Sequence, residues 1–222
     1  AGFNLGRFFN NSKLGLVAFD GKVKGSGFTV KNLNADFDGK IHTLEFSGYP
    51  YQNISVNGAF VKSLFTGNLD IDDPNLIIKN LNGSISILED TTQFNFKADL
   101  QRANLQKLKF IKEDFSLSGL LSLNFAGNNI DDFLGSARMY NATLRHDTTK
   151  LSFDYLNLNS FIDGGKKTLS LQTNEVEGSI TGQFKILQLP DAFNIFLNRY
   201  YPSYLKKPNY EIGVQDFSFL IK

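Results

Sequence analysis

The chain of 222 residues contains no cysteine, no tryptophan and only one methionine. Without cysteine, neither a disulfide nor a thiolate metal site can form, and the cysteine content is compatible with an oxidising or a reducing compartment. Its 23 basic and 22 acidic residues are spread along the chain, with no more than two like charges in a row, so no charged stretch attracts a polyanion such as nucleic acid. No run approaches the roughly 18 to 20 apolar residues that a membrane-spanning helix needs. The opening AGFNLGRFF begins with Ala1 and lacks a signal peptide's basic head and long apolar run, which we interpret as the start of an excised internal segment.

Signatures of catalysis are scarce as well. The sequence contains no serine elbow, no phosphate-binding glycine loop and no dinucleotide fingerprint. The two histidines, His42 and His146, lie in predicted strands without a recognisable partner, and we interpret them as surface residues. The sequence therefore predicts that the chain is not an enzyme.

Three neighbouring aspartates are the nearest approach to a metal motif. Asp70, Asp72 and Asp73 could suggest calcium, but Pro74 follows them and no glutamate stands at the spacing of a calcium loop. We interpret these aspartates as a solvated strand end. The sequence thus predicts no metal site and no cofactor.

Phenylalanine, by contrast, is abundant, with 22 residues, and it favours strands and offers flat apolar surface. Between about residues 16 and 186 the apolar residues mostly fall at every second position, the period of a strand with one buried and one hydrated face. Turn signals such as Asp20-Gly21 and Asp38-Gly39 separate the runs. The pattern predicts an all-β meander of about 15 strands. Such a sheet is too long to close and is expected to be elongated, curved and open.

Glycine replaces the apolar residue in the middle of four predicted strands, always in the same phase. These residues are Gly58, Gly83, Gly119 and Gly178. A glycine on the apolar face of a strand marks a bend or the close approach of another group, so the repetition predicts regular curvature. The alternative is that these glycines mark sporadic bulges.

One helix is predicted near the end of the chain. The apolar residues from Phe193 to Tyr204 follow offsets of 0, 3, 4, 7, 8 and 11, Asp191 can cap the start, and Pro202 should end or kink the helix. The chain therefore divides into an elongated β segment (1–187), an amphipathic helix (188–205) and a resumed β segment (206–222). The predicted helix face consists of Phe193, Phe196, Leu197 and Tyr200.

Four passages resemble one known family. They are YQNISVNGAFVKSLFTGNLDIDDPNLIIKNLNGSISI at 51–87, FKADLQRANLQKL at 96–108, a stretch at 115–160 that contains NIDDFLGSARMYNA, and QLPDAFNIFLNRYYPSYL at 188–205. They resemble the TamB family of translocation and assembly proteins in its Bacteroidota branch, within the AsmA-like superfamily. Together they cover more than half of the chain.

The resemblance implies a U-shaped β structure, the β-taco, with a hydrophobic interior that is open along one side. Members of this family are anchored in the inner membrane, span the periplasm, partner with an Omp85-type outer-membrane barrel in some lineages, and are implicated in phospholipid transport. We expect the membrane anchor and the domain that meets the barrel to lie outside this fragment. The resemblance thus implies a bridge-like protein of outer-membrane biogenesis that carries lipid between membranes.

Ten residues are predicted, by phase, to line the lipid groove, and the predicted helix is interpreted as a cap across that groove or, alternatively, as a gate or membrane-touching element. The ten are Phe37, Phe46, Val56, Leu69, Ile78, Ile87, Phe96, Leu117, Leu123 and Phe153. The alternative is that these side chains form an ordinary sandwich core and contact only one another.

Two other functions remain open at this stage. The first is a periplasmic scaffold that assists the assembly of outer-membrane proteins by offering an edge strand to a client chain. The second is an adhesin or structural spacer, which would close its apolar face completely. Separately, Thr91 and Thr148 lie in Asp-Thr-Thr sequences that resemble the short O-glycosylation signal of exported Bacteroidota proteins, although such residues are also ordinary turn formers.

Overall fold

The computed structural model describes residues 2–27, 29, 31–87, 91–127, 130–213 and 215–222. Two single-turn 3-10 helices span Ile130–Asp132 and Ile186–Gln188. The other elements are β1 (Phe3–Asn4), α1 (Leu5–Phe9), β2 (Leu14–Ser26), β3 (Asn34–Phe46), β4 (Tyr49–Val61), β5 (Leu64–Asp73), β6 (Leu76–Ile87), β7 (Thr92–Asn104), β8 (Phe115–Ala126), β9 (Leu134–His146), β10 (Thr149–Asp163), β11 (Lys166–Thr173), β12 (Glu177–Gln183), α2 (Leu189–Asn198) and β13 (Asp216–Ile221).

The strands form one antiparallel sheet of 13 strands in which spatial order equals chain order, from β1 to β13. The sheet is not closed, because β1 and β13 each have a single neighbour. The prediction of an all-β, open sheet built as a meander is therefore confirmed. Short turns, such as the two residues between β9 and β10, are sufficient because every strand pairs with its sequence neighbour.

The register separates the sheet into two chemically distinct faces. Residues directly opposite each other project to the same side, and Phe96 lies opposite Leu123 while Val56 lies opposite Leu69. We call the side that carries these residues the apolar face. The other side, the polar face, carries a row of amide side chains, and within it Asn82 donates a hydrogen bond to Asn68 over 2.6 Å.

Three asparagines interrupt the strict alternation in the middle of the strands. Asn53, Asn80 and Asn141 have φ angles of 50°, 53° and 51°. Asparagine tolerates this left-handed conformation better than most residues, and the irregular residue reverses the side to which the following side chains project. Tyr51 and Ile54 consequently belong to the same apolar core although they are three residues apart. We call this line of irregularities the bulge row.

The four repeated glycines all lie on the apolar face, but they are not where the alternation reverses. Gly58 and Gly83 instead flank Gly67 in the register, so three glycines face each other on consecutive strands. A Cβ atom on Gly83 would lie 2.1 Å from the Asn95 carbonyl oxygen. Gly58, Gly67 and Gly83 thus serve close approach between strands, whereas Gly178 has only an ordinary contact, and the alternation reverses at the asparagines instead.

Several well-buried apolar side chains lie along the bulge row. Ala142 is 1% exposed, Ile54 2% and Leu100 5%, and all three belong to one cluster. Among the described residues, no second sheet and no helix makes extensive contact with β4 to β9. Side chains from the β7–β8 connection, Leu105 and Leu108, also pack on this cluster and contribute to its burial.

The C-terminal helix is shorter than predicted. Helix α2 ends at Asn198, inside the segment 188–205 and a few residues before Tyr201, near which Pro202 is predicted to end it, because the ring of Pro202 is incompatible with a helical carbonyl at Asn198, four residues earlier. Asp191 lies within the first turn and does not precede the helix. The resumed strand β13 is confined to Asp216–Ile221, and the predicted strand position Val214 lies outside the described residues. No helix in the described part of the chain has the length and apolar character needed to cross a bilayer.

Candidate functional site: an open apolar face

The register places all ten predicted groove residues on the apolar face. Their side chains align across β3 to β10, and the phase changes opposite Asn53 on β3 and at Asn80 on β6, where two of the ten lie nine residues apart on one strand. The ten are Phe37, Phe46, Val56, Leu69, Ile78, Ile87, Phe96, Leu117, Leu123 and Phe153.

The exposure of these ten residues separates an open face from a sealed core. Only Val56 and Ile78 are buried, at 8% and 9% exposure. Phe46 and Ile87 are exposed, and the other six are of intermediate exposure although they lie on interior strands. In a sandwich core, the inner faces of two sheets interdigitate and exclude water. The apolar face is therefore packed beside the bulge row and accessible to solvent elsewhere.

Aromatic rings continue this face at one end of the strands. Phe94 and Phe125 stack with centroids 4.6 Å apart, and the Phe133 ring lies 5.1 Å from Phe125. The carbonyl of Phe133 accepts a hydrogen bond of 2.7 Å from the buried Ser160 hydroxyl, which holds the β8–β9 connection over the sheet. Strand alternation marked Phe94 and Phe125 as apolar, but only the register places them beside the candidate groove residues.

At the opposite strand ends, a buried carboxylate organises the turns. Asp73 is 1% exposed and accepts hydrogen bonds from the Tyr49 hydroxyl (2.6 Å), the Gln52 amide (3.0 Å) and the Asn75 amide (2.8 Å). The interpretation of this aspartate as a solvated strand end is wrong, because the neighbouring turn folds over it. Burial, followed by the hydrogen bond to Asp73, raises the pKa of Tyr49.

The β7–β8 connection closes the same end of the apolar face. Leu108 from this loop is 3% exposed and joins the core beside Tyr51, while the Lys109 ammonium donates to the Gly48 carbonyl across the strand ends. Burial, with smaller effects from the nearby Tyr49 and Asp73, raises the pKa of Tyr51 to about 12. This end is therefore a structural closure.

In the described part of the sheet, one cation lies on the apolar face. Lys167 is opposite Gly182, its ammonium lies 6.0 Å from the centroid of the Phe184 ring, and it donates to the Asp131 carbonyl. Burial lowers the pKa of Lys167, and the acidic groups of Asp131 and Asp132 partly oppose that effect. The apolar character of the face is consequently interrupted by a basic side chain near β11.

Helix α2 packs over the last strands of the apolar face. The Phe193 ring lies 5.6 Å from Phe217 and 5.3 Å from Phe219, both of which project from that face of β13. Phe193 thus behaves as part of a cap. Of the other predicted helix-face residues, Phe196 is 45% exposed and Tyr200 66%, and Leu197 is also exposed.

The remaining predicted sites show no assembled chemistry. His146 stacks on Phe115 with centroids 4.4 Å apart, and its Nε2 lies 3.9 Å from the Asp147 carboxylate at the surface. Within the described ranges, no three His, Asp or Glu side chains are grouped as metal ligands. Thr148 is exposed in the β9–β10 turn and Thr91 has intermediate exposure, while the aspartate before Thr91 lies outside the described residues.

These features define a class: an open, single-sheet β protein with one apolar and one polar face, capped at one end by a short helix. Comparison with family profiles, curated proteins and solved structures gives no match to this chain. Membership of the TamB family stays a prediction that depends on the sequence resemblance.

Proposed function

We propose that the chain carries acyl-chain lipid, with phospholipid as the expected cargo, along its apolar face. The observation that carries this proposal is the accessibility of interior-strand residues such as Phe96 and Leu123, which an ordinary core would seal. The resemblance to TamB proteins supports a location in the periplasm, between the inner and outer membranes. The inner-membrane anchor and the surface for an Omp85-type barrel would belong to other parts of the full-length protein.

The physical basis is the cost of moving an acyl chain through water. Each exposed methylene costs about 0.8 kcal/mol, and a continuous apolar surface removes that cost. Rows of Phe, Leu and Ile offer dispersion contacts without directional hydrogen bonds, so a lipid can shift along the face without breaking a specific site. The headgroup would remain in water, which predicts low headgroup selectivity.

The test combines native mass spectrometry with lipid extraction on protein purified from bacteria, followed by binding of a fluorescent fatty acid. We expect co-purified phospholipid and protection of the probe from water. In Leu123→Asp, the added charge lies on the open part of the face, so we expect a folded protein with reduced probe binding. Asn124→Asp is the matched control, because it places the same charge one residue along on the polar face.

The proposal fails if the purified protein carries no lipid and leaves the fatty acid exposed to water. It also fails if Leu123→Asp unfolds the chain while Asn124→Asp does not. That second result would indicate a dry core at Leu123 and would favour the structural-spacer alternative.

A second candidate function, a scaffold for outer-membrane β proteins, is favoured by the free edge of the sheet. Among the described residues, strand β13 pairs only with β12, and its other edge, next to the apolar side chains of Phe217 and Phe219, is where a client strand could pair. Photo-crosslinking from Ser218 would distinguish the two functions. Adducts with unfolded outer-membrane proteins would favour the scaffold, and adducts with lipid alone would favour transport.

A further inference from the structure

The segment 192–210 differs in composition from the rest of the chain. Its 19 residues contain six aromatic residues, including four of the eight tyrosines, and three basic residues without any acidic one. The remaining residues carry 20 basic and 22 acidic side chains. Aromatic surface and positive charge are therefore concentrated in one short stretch.

The apolar stripe of this segment is used at one end only. Leu189 is buried and Phe193 packs on β13, whereas the tyrosines that follow project into solvent. Tyr200 is 66% exposed, Tyr201 59% and Tyr204 88%. The inner end of the stripe holds the helix on the sheet, whereas at the outer end the rings of Phe196 and Tyr200 contact each other, with centroids 5.5 Å apart, and both side chains stay exposed.

Several polar contacts hold the patch in place. The Gln188 side-chain oxygen accepts from the Gly213 amide over 3.1 Å and from the Gln215 side chain over 2.9 Å. Tyr210 donates to the Asp191 carboxylate, so the chain that follows the helix returns to the start of the helix. The tyrosines are thus displayed from an anchored turn beside the last strands of the apolar face.

We propose that the exposed patch formed by Phe196, Tyr200, Tyr201 and Tyr204, with Arg199, Lys206 and Lys207, docks on the surface of a membrane that contains anionic lipid. Tyrosine has an apolar ring and a polar tip, which suits the boundary between headgroups and acyl chains. Basic side chains beside it add attraction to negatively charged headgroups. Arg199, Lys206 and Lys207 outnumber the flanking acidic residues Asp191 and Glu211, so the patch and its borders together carry a net positive charge.

This inference builds on the proposed function, because a bilayer at this place would lie beside strands β12 and β13 of the lipid-carrying face. Phe193, Phe217 and Phe219 form the contact between helix and sheet directly behind the patch. An acyl chain leaving the bilayer here would pass from the tyrosine layer to these rings. The docking itself can be measured without any transport.

The absence of tryptophan from the chain makes a single-reporter experiment possible. We would replace Tyr204 with Trp and add vesicles of phosphatidylcholine with about one third phosphatidylglycerol, an anionic content that gives a negative surface potential. The expected result is a blue shift of the emission and quenching by lipids brominated in the acyl chain. Tyr140→Trp is the matched control, since Tyr140 is 50% exposed on the polar face, and it should give neither effect.

Replacing basic side chains separates electrostatic attraction to the headgroups from nonspecific hydrophobic adsorption. Each basic side chain near an anionic surface strengthens binding about fivefold, so Lys206→Gln with Lys207→Gln should weaken vesicle binding about 25-fold at low salt. Lys150→Gln, an exposed lysine in β10, should leave binding unchanged. Vesicles of phosphatidylcholine alone should bind weakly and should not distinguish the variants.

Three results would overturn the docking proposal. They are a Tyr204→Trp spectrum unchanged by anionic vesicles, an equal shift at position 140, and self-association of the chain through the patch without vesicle binding. Leu123→Asp separates this proposal from the proposed function. If a variant takes up no lipid but still binds vesicles, the result supports docking alone. If the chain takes up lipid but does not bind vesicles, docking is refuted and the apolar face remains the proposed lipid carrier.

Discussion

Replacing Gly83 with alanine tests the close approach of strands along the apolar face, and Gly178 provides a control with almost the same local sequence. Gly83 is followed by Ser84 and an isoleucine, and Gly178 by Ser179 and an isoleucine. A Cβ atom at Gly83 would meet backbone atoms of β7 at 2.1 and 2.6 Å. At Gly178 the nearest atom, the Leu220 carbonyl oxygen, lies at an ordinary 3.5 Å.

The expected changes in the free energy of unfolding follow from the atoms that each substitution displaces. At Gly83 the contacted atoms belong to the backbone, so β6 and β7 must separate by about 1 Å and weaken ladder hydrogen bonds that contribute about 1 kcal/mol each. With the strain of overpacking, we expect the free energy of unfolding to fall by about 3 kcal/mol. Gly178→Ala should instead raise it by about 0.5 kcal/mol, because alanine restricts the unfolded chain.

The assay is thermal and urea unfolding followed by far-UV circular dichroism. For a chain of this length about 1 kcal/mol corresponds to 2–4 °C, so Gly83→Ala should lower the Tm by about 6–12 °C. A similar loss of stability in both variants would refute the reasoning, since it would mean that a side chain destabilises the sheet at either glycine position, whether or not a neighbouring strand is close. A Gly83→Ala variant as stable as the wild type would refute the close approach itself.

Two further predictions concern the buried strand end. Because the folded pKa of Tyr51 is raised from 10 to about 12, only the unfolded state gains from ionisation between these values, so stability should fall from pH 10 to 12 by about 2–3 kcal/mol. Tyr51→Phe should remove that part of the pH dependence in urea titrations, and an unchanged slope would contradict the assigned burial. Asp73→Ala should cost about 3 kcal/mol, because Tyr49 and two backbone amides lose their acceptor, while the exposed Asp72→Ala should stay within about 0.5 kcal/mol. Equal unfolding midpoints for the two aspartate variants would show that the carboxylate of Asp73 is dispensable.

The helix and the strand end illustrate where local patterns mislead. The apolar spacing from Phe193 to Tyr204 is helical, yet the helix stops at Asn198 because a proline acts on the carbonyl four residues before it. Asp73 looked solvated because it stands among aspartates before a proline. Its burial arises from Tyr49, 24 residues earlier, which no local pattern contains.

The sequence by itself determined the class of fold and the composition of each face. Alternation with a period of two assigns side chains to opposite sides of a strand wherever the strand is regular, and for that reason each predicted groove residue shares its face with the apolar residue two positions away. Tertiary structure alone decided where the phase reverses, at Asn53, Asn80 and Asn141, and which glycines touch a neighbouring strand. It also decided which apolar residues are sealed and which stay open. Burial depends on how the whole sheet bends and on which strands become neighbours, and these are relations between distant parts of the chain that no local pattern contains.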